Sequence, residues 1–443
     1  MVIDINPTKK QKQCFKLLLD DKTTIVTFGG SAGGGKSWLG CTWITTICLK
    51  YPGIRTLIGR SVLQQLKTTT LNTLFEVFSM MGLKSGEHYT YNGQSNIITF
   101  FNKSEIILKD LQYQPSDPNF DSLAGIEVTA VFVDEASQIT YLCFSILKSR
   151  IRFKLNEYNL IPKILLTCNP AQNWIKKEFY LPFIQETLSE NISFIPSLAF
   201  DNPYLPPSYI EILKGLPLAQ KKRLLEGDWN YLENDDSLFD FDSIANSVYK
   251  STPDPMDKKY ITIDVARFGD DRSVVIVWVG LVVIDINIYR KLSTTELSTE
   301  IRALMTAHGV HPNNCIVDSD GVGGGVSDQI RGMNFVNNSK ALHNQNFANL
   351  KSQCYVKLSD MFKDGKISIN TMDPSVVDDL TQELLAVKLK DIDRDNKVAV
   401  QSKDEMKKIL GKSPDISDCM MMRMLPEIKN FKATGRYALG IVG

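Results

Sequence analysis

Short apolar runs alternate with longer periodic stretches through the first half of the chain. TTIVTF (23–28), TLIG (56–59), AVFVDEA (130–136) and KILLTCNP (163–170) each read as a buried strand, and a helix-compatible stretch opens at Lys36. That rhythm predicts βαβ units on a parallel sheet. In the second half, YITIDVA (260–266), SVVIVWVG (273–280), LVVIDINIY (281–289) and NCIVDSDG (314–321) form another set of strands, the first three close enough for a meander. Between the two sets, KRLLEGDWNYLENDDSLFDFDS (222–243) is polar and acidic, and STPDPMDKK (251–259) carries turn residues. The pattern therefore predicts two α/β domains, 1–230 and 258–425, a linker over 231–257 and a weakly periodic tail over 426–443. KLKDIDRDNKVAVQ (388–401) reads as two strands around a polar turn, either a plain edge hairpin or the rim of a groove.

Composition narrows this picture. A chain of 443 residues has room for two or three domains, and 43% hydrophobic with 23% charged residues excludes a mostly disordered polymer. No apolar run reaches the roughly 18 residues that cross a bilayer, and residues 1–22 lack the apolar core of a signal peptide, so a cytoplasmic chain is expected. Lys plus Arg and Asp plus Glu both total 50, which excludes a polycationic nucleic-acid coat. The neutrality is a cancellation, with 24 basic against 20 acidic residues over 1–230 and 26 against 30 in the remainder. Eight cysteines without a CxxC pair suggest reduced, buried side chains, and His308 and His311 lack a third ligand nearby.

The chemistry begins at Gly30-Ser-Ala-Gly33-Gly34-Gly35-Lys36-Ser37, which fits G-x-x-x-x-G-K-[ST] between a strand and a helix. Glycines let backbone N–H groups wrap phosphate oxygens, and the helix adds its positive N-terminal end. Lys36 suits the β and γ phosphates of ATP and the Ser37 hydroxyl suits Mg²⁺. Asp134 and Glu135 end another apolar run, as a metal-holding carboxylate and a base that polarises the attacking water. Asn169, in Thr-Cys-Asn-Pro, can sense the γ-phosphate or start a turn. Gln11 can read the adenine edge or be a surface amide, and Arg60 can stabilise transferring charge or make a surface ion pair.

Asp264 and Asp318 end strands of the second half, and Asp418 lies in the helix-compatible ISDCMMMRML. Carboxylates at adjacent strand ends, joined by one from a packing helix, suit two Mg²⁺ or Mn²⁺ ions for phosphodiester hydrolysis. Asp271 and Asp320 are accessory candidates. Any single acidic strand end is more often solvated than catalytic.

Taken together, these motifs resemble the large subunit of the tailed-bacteriophage terminase, the DNA-packaging motor. The likeness spans about residues 6–425: the P-loop, VFVDEA, LTCNP, DNP (201–203), LLEGDW (224–229), IDVARFGDD (263–271), VDSDGVGGGV (317–326) and SPDISDCMMM (413–422). It implies a RecA-like P-loop ATPase of the additional-strand type followed by an RNase H-like nuclease. It further implies translocation of double-stranded DNA into a procapsid, with cleavage of concatemers. The partners would be the portal protein, the small subunit and other copies of the chain, forming a pentamer on the portal. The site of action would be the host cytoplasm and, transiently, the portal, not the mature virion. The family arginine before the glycine preceding the VFVDE run is Ala124 here, which leaves Arg60 as the arginine candidate. The alternative is a P-loop translocase or helicase whose second domain is structural and does not cleave.

Overall fold

The computed structural model describes residues 6–114, 116–231, 237–266, 272–321, 323–371, 373–390 and 397–429. The chain divides into two compact units, Met1–Asp235 and Asp236–Gly443.

The first unit is built on an eight-stranded sheet: β1 (Ile25–Gly30), β2 (Arg55–Arg60), β3 (Tyr89–Asn92), β4 (Ile97–Phe100), β5 (Glu105–Asp110), β6 (Ala130–Val133), β7 (Lys163–Cys168) and β8 (Ile192–Ser197). Their order is β3-β4-β5-β2-β6-β7-β1-β8. Strands β5, β2, β6, β7, β1 and β8 run parallel, and β4 and β3 continue the sheet antiparallel. β7 lies between the P-loop strand β1 and the acidic strand β6, which is the additional-strand arrangement of a RecA-like ATPase. β1, β6 and β7 are buried along their whole length, as expected where both faces are covered, and two apolar cores flank the sheet.

Helix Lys36–Lys50 carries the P-loop lysine at its start and packs on β6 through Gly40. A Cβ there would lie 2.2 Å from the ring of Phe132. Only glycine lets helix and strand approach this closely, and so the P-loop helix is seated directly above the strand that leads to Asp134.

The second unit holds a six-stranded sheet: β9 (Lys259–Asp264), β10 (Arg272–Val279), β11 (Val282–Arg290), β12 (Cys315–Asp318), β13 (Met333–Phe335) and β14 (Ser368–Ile369). The order is β13-β12-β9-β10-β11-β14. β9, β10 and β11 form the expected antiparallel meander, turning through Gly280 at φ 59°. β12 joins β9 in parallel and β13 joins β12, which is the RNase H-like topology. Helix Asp415–Met422, buried at all eight positions, lies against β9 and β10.

Part of the stretch expected as a linker packs into the second unit. Leu238, Phe239 and Ile244 are buried in the core of the second unit, and helix Phe241–Ala245 begins at an Asp240 cap. The acidic residues around them mask three apolar anchors. Likewise, Leu425, Pro426 and Ile428 of the expected boundary with the tail are buried in helix Met424–Lys429. The 388–401 hairpin pairs Leu389 with Val400, while its turn lies outside the described residues.

Gly40→Ala should lower the stability of the first unit by about 1–3 kcal/mol, because overpacking against Phe132 exceeds the roughly 1 kcal/mol that alanine gains in helix propensity. Denaturant unfolding of the two proteins checks this; equal or greater stability of the variant would mean the contact is loose.

Candidate active sites

In the first unit the P-loop is fastened to its neighbours by backbone bonds. Ser31 N–H donates to Ser197 O at 3.0 Å and Ala32 N–H to Leu224 O at 2.8 Å. Ser197 Oγ donates to Gly34 O and Asn202 Nδ2 to Gly33 O. A Cβ on Gly30 would stand 2.0 Å from Ser197 O, which explains the first glycine of the motif. Gly33 and Gly35 take left-handed φ values of 81° and 72°.

Asp134, 2% exposed, accepts three hydroxyls: Ser37 Oγ at 2.9 Å, Thr167 Oγ1 at 2.7 Å and Thr70 Oγ1 at 2.7 Å. Lys36 Nζ donates to Ser31 O at 2.5 Å and to Asn169 Oδ1 at 2.9 Å. The other end of the Asn169 amide donates to both Glu135 oxygens at 3.2 Å. A continuous chain thus runs from the P-loop lysine through Asn169 to Glu135, whose backbone is held in the left-handed region at φ 53°. Burial and the neighbouring Asp134 push the Glu135 carboxyl up, against the pull of Lys36, Arg60 and Arg223. Burial likewise pushes the Lys36 amine down, opposed by Glu135.

Arg60 lies at the end of β2, its Nη1 donating to Thr69 Oγ1 at 2.7 Å while Nε is buried without a hydrogen-bond partner among the described residues. Gln11 is not the surface amide that was the alternative to an adenine contact. It is 4% exposed; its Oε1 accepts from Thr8 N–H at 2.8 Å and its Nε2 donates to Gly35 O at 2.9 Å, so the amide clamps a helix start to the P-loop. Thr70 was not singled out by pattern. Arg223, in the basic run Lys221-Lys222-Arg223 next to LLEGDW, donates from Nε to Pro170 O at 2.9 Å.

The lysine, the hydroxyl of Ser37 and the carboxylate of Asp134 therefore stand where a helix N-terminus leaves its first N–H groups open, a donor set that fits a magnesium nucleotide.

In the second unit Asp264 ends β9, and Asp318 follows Val317, the residue of β12 paired with Ile263. Asp418 reaches the same end from helix Asp415–Met422. The ammonium of Lys403 stands among Asp264 Oδ2 at 3.1 Å, Asp415 Oδ1 at 3.2 Å and Asp418 Oδ2 at 3.4 Å. Lys351 Nζ reaches Asp418 Oδ1 at 2.7 Å, and Tyr355 OH donates to the same oxygen at 2.7 Å. Asp318 is held instead by Asn337 Nδ2, 3.1 Å from both oxygens.

Burial, then the charge of Asp264, pushes Asp318 up to about 6. Burial also raises Asp264, against Lys403. For Asp418, Lys351 and Lys403 outweigh burial and hold the carboxyl low. Gly323 allows helix Gly323–Ile330 to start against β12, since a Cβ would lie 1.8 Å from Asp318 O.

Among the described residues no three His, Cys, Asp or Glu side chains form a ready metal cage. The carboxylates of Asp264, Asp415 and Asp418 already share a cation, and they are hard oxygen donors of the kind Mg²⁺ and Mn²⁺ take. Asp320 is exposed and bonds Asn337, and Asp271 lies outside the described residues. Pattern missed Asp415, although its i, i+3 relation to Asp418 puts both on one helix face. Lys351, Tyr355 and Lys403 come from distant stretches without a local signature. His311 caps a short turn, and all eight cysteines are free and buried.

Residues 20–223 match the phage terminase large subunit family. The terminase match contains the whole P-loop, Asp134, Glu135, Asn169 and Arg223. The chain matches none of the curated proteins significantly. Among solved structures, it is similar to the large terminase of a thermophilic bacteriophage at 15% identity, covering 95% of this chain and 100% of that one with a TM-score of 0.43. The complex of that same terminase with ADP gives 14% identity, the same coverage and 0.43. The nuclease domain of the large terminase subunit of bacterial virus Sf6, with manganese and β-thujaplicinol, gives 18% identity over 42% of this chain and 98% of that one, at 0.39. No helix among the described residues is long and apolar enough to cross a membrane.

Two substitutions test the carboxylate cages. Thr70→Val and Tyr355→Phe each remove one hydroxyl donor from a buried carboxylate and should each cost about 1.5–3 kcal/mol of unfolding free energy. Parent-like unfolding curves would show that the hydroxyls do not hold Asp134 and Asp418.

Proposed function

We propose that this chain is a DNA-packaging terminase large subunit: an ATPase that translocates double-stranded DNA into a procapsid, joined to a divalent-metal-dependent endonuclease that cuts concatemers. The observation that carries the reading is the presence of two acidic clusters in one chain, one beside a P-loop and one beside an RNase H-like sheet. Double-stranded DNA, the portal protein, the small subunit and further copies of the chain, five on the portal, are the partners this reading entails. The place of action is the host cytoplasm, with transient docking at the portal.

At the ATPase site Lys36 and the first N–H groups of its helix bind the phosphates of ATP, while Ser37 and Asp134 hold Mg²⁺. Glu135 orients and deprotonates the attacking water; its raised affinity for a proton suits a base. Asn169 contacts both Lys36 and Glu135, so drawing Lys36 onto a γ-phosphate frees one end of its amide and changes its hold on Glu135. Arg60 and Arg223 supply positive charge on the side of Glu135.

At the nuclease site Asp264, Asp318 and Asp418 would hold two Mg²⁺ or Mn²⁺ ions, which would supply an activated water and stabilise charge on the scissile phosphate. The chain's own contribution is to hold these carboxylates in place through Asn337, Lys351 and Tyr355, with Lys403 among Asp264, Asp415 and Asp418.

The two activities separate by mutation. Glu135→Gln should still bind ATP but lose turnover by about 100-fold or more, while continuing to cut supercoiled plasmid in Mn²⁺. Asp264→Asn should show the reverse. Unchanged turnover in the first variant discards Glu135 as the base, and plasmid cutting by the second at the parent rate discards the metal site.

A further inference from the structure

A buried ionic network in the second unit has no part in the scheme above. Arg272, at the start of β10 and 7% exposed, donates from Nη1 to Asp379 Oδ2 at 2.8 Å and from Nη2 to Glu383 Oε1. Its Nε stands 3.7 Å from Asp415 Oδ2. Glu383, fully buried, accepts the Ser417 N–H at 2.8 Å on its other oxygen. Lys412 reaches Asp379 Oδ1 at 2.6 Å.

Each link bears on the same object. Glu383 takes an N–H in the first turn of helix Asp415–Met422, one of the groups that turn leaves without an intrahelical acceptor. Arg272 fixes Glu383 and also faces Asp415, whose second oxygen faces Lys403 beside Asp264 and Asp418. Asp379 and Glu383 lie on helix Pro374–Leu385, and Arg272 on the strand antiparallel to β9. Three elements are thereby locked around the turn that presents Asp415 and Asp418. A network kept only for stability has no need of this placement, because an apolar trio of equal volume is often as stable as a buried ion pair.

We propose that Arg272 and Glu383 are positioning residues of the nuclease centre, setting the first turn of helix Asp415–Met422 so that Asp415 and Asp418 face Asp264. This rests on the nuclease reading given above. Arg272 touches no reacting atom; it acts through Glu383 and Asp415.

The test uses the full chain without nucleotide. Manganese binding is followed by the loss of free Mn²⁺ signal in electron paramagnetic resonance, and the thermal midpoint is recorded without metal. Asp264→Asn defines the binding that belongs to this centre; if it binds Mn²⁺ like the parent, the nuclease reading itself fails. Glu383→Gln keeps volume and an acceptor for Ser417 and should weaken that binding about tenfold or more, the range found for outer partners of metal ligands. Arg272→Met combined with Glu383→Leu replaces the ion pair by apolar groups. It should regain the midpoint that Arg272→Met alone loses, while Mn²⁺ binding stays weakened. If Asp264→Asn abolishes binding but the double variant and Glu383→Gln bind Mn²⁺ like the parent, the network is structural only and the proposal is overturned.

Discussion

A carboxylate at the end of a buried strand is the constraint on which both units turn. Removing an ionised acid from water costs several kcal/mol after relaxation, so each must be surrounded by donors or cations before the strand can end there. The two units meet this demand differently. Asp134 is held by three hydroxyls, which add no charge. Asp264 and Asp418 are held by lysine ammonium groups, so their cluster is neutralised from within. A hydroxyl cage can admit Mg²⁺ while keeping its donors. A lysine cage would have to give way to any incoming cation.

How much of this was legible follows from where the partners lie. The P-loop, the Asp134–Glu135 pair and the strand-end aspartates are local patterns tied to apolar runs, and they could be read in place. The additional strand β7 was also visible as KILLTC, a run too apolar to be anything but central. Thr70, Lys351, Tyr355 and Lys403 sit far along the chain from the carboxylates they serve, and only tertiary folding brings them there. The clamp that Gln11 makes on Gly35 was not legible, because a polar residue upstream of a P-loop has the same appearance whether it faces a base, a backbone carbonyl or solvent. The linker misled because acidic residues surround Leu238, Phe239 and Ile244, so composition concealed the spacing of the buried anchors.

The zero net charge takes on meaning at this level. Part of the acidic excess of the second half lies in the buried Asp264, Glu383, Asp415 and Asp418 and the half-buried Asp379, each facing Arg272, Lys351, Lys403 or Lys412. These charges largely offset one another within the fold and contribute little to the field a polyanion feels outside. Overall neutrality therefore says little about the surface.

The bonds between the P-loop and β8 carry a mechanical consequence. β8 is the last strand of its sheet, with a neighbour on one side only, and Ser197 at its end holds both Ser31 and Gly34. On the other side of β1 the interior strands are locked by parallel partners on both flanks. The contacts of the loop outside the central strands therefore fall on the margin of the sheet and on residues 198–227, which include Asn202 and Leu224. The loop is thus anchored at the edge of the sheet, while its own strand is anchored at the centre.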